Sequence, residues 1–184
     1  MEKMSLNGLW RMRCREDMVW HDAAIPGSVY STLMNDGTMP DPFYRENEFD
    51  FLALMYKDWQ FTRHFTVEES LLSHDRVLLN CHGLDTLAHV SVNGIHVGDA
   101  SNMHITWCWN VKDLLHAGSN EITIDFDSPM NYALGEDEKR PCWGSTDAVP
   151  GFSHLRKAHC MFGWDWGPRL PDAGIWRDIE LLGV

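Results

Sequence analysis

Val90-Ser91-Val92-Asn93-Gly94-Ile95-His96-Val97 is the stretch that decides the fold. Two short β-branched runs flank an Asn-Gly pair. That pair marks a two-residue type I′ turn, because both central positions need positive φ. The flanking residues therefore form an antiparallel hairpin. Downstream, Thr106–Val111 sets Trp107, Trp109 and Val111 on one face, and Glu121–Phe126 sets Ile122, Ile124 and Phe126 on one face with acids opposite. Trp176–Leu182 closes the chain as a further strand. Upstream, Asp58–Val67 alternates, with Trp59, Phe61, Phe65 and Val67 sharing one side. Arg63 has the same parity, so it lies near the strand edge or is paired inside. Arg76–Cys81 is a more continuous apolar run, which predicts a strand covered on both faces. Short strands separated by turn signals predict an all-β jelly-roll β-sandwich, mainly antiparallel.

Two helical pieces interrupt the strands. Ser28–Met34 follows Pro26-Gly27 and stops at Asn35-Asp36-Gly37, and Lys112–His116 stops at Ala117-Gly118. The least regular stretch runs from Ser128 to Gly163. Its charge run, Gly135–Arg140, reads as a solvated loop. A loop of that length in a small domain is functional or disordered more often than not.

The chain has 184 residues, 44% of them hydrophobic, and a formal net charge of −12. The length suits one domain, here 1–184, with its own core. The negative charge argues against nucleic acid or an anionic membrane as partner and fits a neutral ligand. No apolar run has the length of a membrane span or of a signal peptide's core. Cys14, Cys81, Cys108, Cys142 and Cys160 are scattered and odd in number, with no C-x-x-C. Free thiols in a reducing compartment follow, and a bacterial cytoplasmic protein is the simplest expectation.

The chemistry concentrates in Phe162-Gly163-Trp164-Asp165-Trp166-Gly167-Pro168-Arg169. Two indoles flank one carboxylate, and glycines bound the group. A sugar ring stacks its C–H face on an indole and gives its hydroxyls to charged acceptors. The same residues also suit a buried aromatic cluster around a satisfied Asp. Glu46, Glu48, Asp50, Asp165 and Asp172 are acids near two loops, but nothing marks a catalytic pair among them. His154, His159 and Cys160, and His82 and His89 near Cys81, lack the paired spacing of a metal site. No metal and no cofactor are expected.

Gly163-Trp164-Asp165-Trp166-Gly167-Pro168-Arg169-Leu170, with Ala173-Gly174-Ile175-Trp176-Arg177, resembles the end of the N-terminal domain of β-mannosidases in glycoside hydrolase family two. Ile25–Val29, Pro40–Tyr44 with Asn47-Glu48, Asp58-Trp59, Gly83–Thr86, Val92–Gly94 and Phe126–Pro129 extend the likeness to nearly the whole chain. The resemblance implies a sugar-binding domain cut from a longer multidomain glycosidase. Its partners would be a β-mannoside and the immunoglobulin-like and catalytic barrel domains of the parent chain. The catalytic glutamates of the family belong to that barrel, so the chain alone is expected to be inactive. Trp164 and Trp166 would shape the sugar pocket and Asp165 would accept mannose hydroxyls. Asn47 is a weaker candidate. Arg169 and Arg177 are expected to be structural and to pair with acids. A free-standing carbohydrate-binding module, or a scaffold whose tryptophans are all core, are the competing readings.

Overall fold

Asn93 and Gly94 both hold positive φ, 51° and 77°, so the Asn-Gly turn forms as its chemistry dictates. The computed structural model describes residues 1–164 and 167–184. Its elements, in chain order, are β1 (Glu2–Ser5), β2 (Gly8–Cys14), β3 (His21–Ile25), α1 (Val29–Asn35), α2 (Asn47–Phe51), β4 (Trp59–Val67), α3 (Glu69–Leu72), β5 (Val77–Cys81), β6 (Leu84–Asp85), β7 (Ala88–Val92), β8 (Ile95–Ala100), β9 (Trp107–Asn110), β10 (Gly118–Phe126), α4 (Pro129–Lys139), β11 (Gly174–Ile175) and β12 (Ile179–Gly183). A six-stranded sheet, β3-β2-β4-β10-β7-β8, faces a four-stranded sheet, β1-β12-β5-β9. A small β11-β6 pair stands apart from both. Every named pairing is antiparallel. This is the expected sandwich.

The core forms where the inward parities of the two sheets meet. Trp10, Met12, Phe61, Val90, Ile122, Ile124 and Phe126 come from the large sheet, and Val77, Leu79, Ile179 and Leu181 from the small one. Phe61 and Phe126 meet edge to face at 5.6 Å. Arg63 is the inward member of β4 that the alternation could not explain. Its Nη1 donates to the carbonyls of Leu6 (2.6 Å) and Asn7 (2.5 Å), so it is paired inside and ties β4 to the β1–β2 corner. The side of the sandwich closes where the Trp109 indole lies on Gly98. A Cβ there would come within 2.3 Å of the indole nitrogen.

Three expectations change. β5 is buried on alternate residues, with Leu78 and Asn80 only half-buried, because the outer face of the small sheet meets solvent. The continuous apolar run therefore does not report two covered faces. The charge run Gly135–Arg140 is not a loop but the end of α4 and its cap. Ser128 Oγ accepts the amide of Asn131 at 3.0 Å, Pro129 sits in the first turn, and Glu136 pairs with Lys139 and Arg140 one turn on. Finally, β1, β2 and β3 precede every strand read from the sequence. β2 alternates Trp10, Met12 and Cys14 inward with arginines outward, a signal that long cationic side chains obscure.

The segment after α4 is anchored by a buried ion pair. Lys157 donates to the Asp85 carboxylate of β6, and both side chains are almost wholly inaccessible. The same ammonium donates to the Asp172 carbonyl at 2.6 Å. Asp172 Oδ1 in turn accepts the amides of Tyr30 (3.1 Å) and Ala173 (2.8 Å). Burial pushes the Asp172 carboxyl up to about 6, against the pull of those donors and of Lys157.

Lys157→Met strands the Asp85 charge in the interior and should cost about 3–5 kcal/mol in denaturant unfolding. Adding Asp85→Leu should recover much of that loss. Equal stabilities for the single and double variants would show that the buried charge is not the cause. A second prediction concerns His89, whose ring nitrogens meet Asp127 (2.9 Å) and Asp99 (2.7 Å). Both bonds require the imidazolium, so the Asp127 and Asp99 carboxylates raise its pKa. A raised folded-state pKa adds stability that is complete below the unfolded value of about 6.5 and is lost as pH rises through the folded value. The melting-temperature gap between the wild type and His89→Gln should therefore be wider at pH 6 than at pH 9.

Candidate functional site

Residues 161–162 run antiparallel to residues 169–170, and the pairing forms the base of a hairpin. Phe162 bridges Arg169, the Leu170 amide donates to the Met161 carbonyl at 2.9 Å, and the Val149 amide donates to the Phe162 carbonyl at 3.0 Å. Phe162 is fully buried and is the apolar anchor of the turn. Beyond it the chain leaves ordinary backbone space. Gly163 has φ 92° and Trp164 has φ 140°. The glycine is required on two counts, since a Cβ would also lie 2.8 Å from Arg169 Cγ. A tryptophan at positive φ carries strain of about 1–3 kcal/mol, which persists only where surrounding contacts impose it. The indole emerges 36% exposed. Of the three sequence-predicted site residues, the structure thus places Trp164 at the surface of the hairpin. Asp165 and Trp166 lie outside the described residues.

Trp164 borders a hollow of about 210 Å³ that it shares with Glu48, Phe49, Asp147, Gly167 and Arg169. A second hollow, about 270 Å³, is lined by Pro42, Phe43, Arg45, Glu48, Gly167 and Pro168. A third, about 310 Å³ and mainly apolar, reaches from Phe43 and Pro168 to Tyr30 and Asp172. Neighbouring hollows share lining residues, with Glu48 and Gly167 common to the first two and Pro42, Phe43 and Pro168 to the last two. Together they make a groove between the hairpin and the 40–50 loop. Phe43 (70% exposed) and Phe49 (62%) put apolar rings on its rim. The hollow beside Trp164 is smaller than the roughly 300–1,000 Å³ of self-contained ligand pockets, so it covers only one side of a ligand.

The groove is held by hydrogen bonds of the hairpin backbone. The Arg169 amide donates to Glu48 Oε2 at 3.1 Å, joining positions 121 residues apart. Arg169 Nε donates to the Asp147 carbonyl at 3.1 Å. Arg169 is structural as expected, but it bonds a carbonyl and not an acid side chain. Arg177 stacks its guanidinium 4.0 Å from the centre of the Trp176 ring, where an acidic partner was expected. Asn47 donates its side-chain amide to the Asp41 carbonyl at 2.7 Å, which stabilises the loop. Asp172 bonds backbone amides and belongs to the scaffold beneath the groove. Glu48 was one of several acids near this segment, Phe43 entered only through the Pro40–Tyr44 likeness, and Asp147 and Phe49 carried no signal. Their meeting depends on long-range chain closure.

Among the described residues no group of three or more His, Cys, Asp or Glu side chains is arranged to hold a metal ion. His159 Nε2 donates to the Leu155 carbonyl at 3.1 Å and meets the Phe152 ring edge-on, which is packing chemistry. His82 bonds Glu180 at 3.2 Å.

The family model described as the glycosyl hydrolase 2 galactose-binding domain-like domain matches residues 10–177. A β-mannosidase of Capra hircus is 32% identical over 186 residues, covering 97% of this chain and 21% of the relative. A probable β-mannosidase of Caenorhabditis elegans is also 32% identical, again over 97% of this chain and 21% of its own length. The crystal structure of a β-D-mannosidase from Dictyoglomus thermophilum superposes with a TM-score of 0.95 at 36% identity, covering all of this chain and 23% of that one. The exo-β-D-glucosaminidase CsxA, at 18% identity and a TM-score of 0.73, shares the fold. The chain spans about a fifth of the length of the curated relatives it matches. Fold, near-complete coverage and sequence agree, and the chain belongs to the galactose-binding-like N-terminal domain family of glycoside hydrolase family two.

Proposed function

We propose that this domain is the sugar-binding wall of a β-mannosidase. It holds the terminal, non-reducing mannose of a β-mannoside while a barrel domain of the same polypeptide carries out hydrolysis. The observation that carries the reading is the open groove beside Trp164, on a hairpin whose backbone strain presents an indole to solvent. A partly exposed indole beside carboxylates matches the two halves of a pyranose: an apolar C–H face and a rim of hydroxyls. The naming of the relatives as β-mannosidases supports mannose as the sugar. In this reading Trp164 and Trp166 shape the pocket wall, and Asp165 accepts hydroxyls. A carboxylate that takes vicinal hydroxyls places the ring and rejects the wrong stereochemistry.

Hydrolysis of a glycosidic bond needs a proton donor and a second carboxylate facing it across the bond. No facing pair of that kind can be assigned among the described acids near the groove. Asp172 bonds backbone amides, and Glu48 holds the Arg169 amide. Residues 1–184 alone should therefore release no aryl alcohol from an aryl β-mannoside. Turnover abolished by changing an acid of this chain would place the catalytic pair here and sink the proposal.

In the full-length polypeptide, Asp165→Ala should lower kcat/KM for β-mannosides by about 2–5 kcal/mol, on the order of thirty-fold to several thousand-fold. Part of the loss should appear in kcat, because contacts to ring hydroxyls strengthen as the ring distorts. Melting temperature measured on the same preparation separates this from a structural role. A lower Tm with kcat/KM unchanged would remove Asp165 from the site.

A further inference from the structure

Glu48 is the one acid that lines both the hollow beside Trp164 and the hollow beside Phe43. Its carboxylate is fixed at one end only. Oε2 accepts the Arg169 amide at 3.1 Å, while Oε1 receives no hydrogen bond among the described residues. No ion pair neutralises it among them either, since the Arg169 guanidinium beside it directs Nε to the Asp147 carbonyl. A carboxylate that is oriented but not neutralised, half-buried in a hollow it shares with Phe49 and Trp164, is poised to accept. A ligand that covers it without supplying donors would strand a charge.

We propose that Glu48 is a second sugar-binding carboxylate and a specificity-determining residue of this site. Its free oxygen accepts a ring hydroxyl of the mannose held by the Trp164 loop. The proposal rests on the sugar-binding reading above and adds a contact to it. The Arg169 amide bond links Glu48 to the hairpin, so one sugar touches both loops and couples their positions. Proton and charge stay where they are: the hydroxyl donates and the carboxylate accepts.

The test uses the full-length polypeptide with an aryl β-mannoside and its 2-, 3-, 4- and 6-deoxy analogues. Glu48→Gln keeps a carbonyl oxygen for the Arg169 amide and removes the charged acceptor. It should lower kcat/KM for the parent mannoside on the order of tenfold, since hydrogen bonds to charged groups exceed neutral ones in strength. The loss should vanish for one deoxy analogue, the one without the hydroxyl that Glu48 takes, as a substrate–residue double-mutant cycle requires. An equal loss for every analogue overturns the proposal. So does full activity of Glu48→Gln beside impaired Glu48→Ala, which would make Glu48 a loop anchor. Asp165→Ala run in parallel separates the two levels. If Asp165→Ala is impaired and Glu48→Gln is not, only the Glu48 assignment fails. If neither variant is impaired, the sugar-binding reading itself fails.

Discussion

The structure around the groove depends on a single buried ammonium. Lys157 lies on the way into the 161–170 hairpin and Asp172 lies on the way out, and the Lys157 ammonium donates to the Asp172 carbonyl across that neck. The same group donates to Asp85 on β6, which fixes the neck to the β11–β6 pair. An ion pair removed from water contributes little net stability, because desolvation offsets most of the attraction. Its effect here is geometric. An unpaired Asp85 would be so costly in the interior that the segment has one acceptable path, and the hairpin leaves the sandwich at one place and in one direction.

From that neck outward, order is imposed by progressively weaker means. Phe162 is buried and bonded to the 148–149 strand-like segment, so the base of the hairpin is set by core packing. Next come the positive φ values of Gly163 and Trp164, a local strain that the base holds in place. The last contacts, Arg169 to Glu48 and to Asp147, are exchangeable polar bonds at the surface. A rigid base and an adaptable rim are in keeping with the proposed role of a wall that orients a small polar ligand yet lets it leave.

The strongly acidic chain places few cations near the groove. Arg45 and Arg169 border its hollows, and Arg169 is spent on a backbone carbonyl. Carboxylates near the aromatic rim therefore keep their capacity to accept. A neutral polyhydroxylated ligand supplies donors without bringing charge, and that asymmetry separates this site from one built for anions, which would turn donors toward the hollow.

Local chemistry was enough for the hairpin at Asn93-Gly94, for the inward faces of β4 and β10, and for the stop of α1 before Gly37, because turn type, period and helix breakers act over a few residues. The reciprocal Ser28–Ser31 cap at the start of α1 is seen only in the structure. The all-β sandwich followed from those pieces, and the Trp164–Trp166 loop stood out by composition. Other features were out of local reach. β2 hid its alternation beneath arginines, and α4 looked like a charged loop because its apolar contacts are few. Arg63 could be read as edge or paired, and only the carbonyls of Leu6 and Asn7 across the β1–β2 corner decided it. The groove itself is the clearest case. Glu48, Asp147 and Arg169 are scattered along the chain, and no periodicity links them. They meet through the Arg169 bonds to Glu48 and Asp147, beyond a neck anchored by the buried pair of Lys157 and Asp85, 72 residues apart. The sequence by itself determined the tight turn and the inward faces of the strands; the tertiary structure decided which distant side chains meet at the groove, since long-range closure is governed by core burial and not by local propensity.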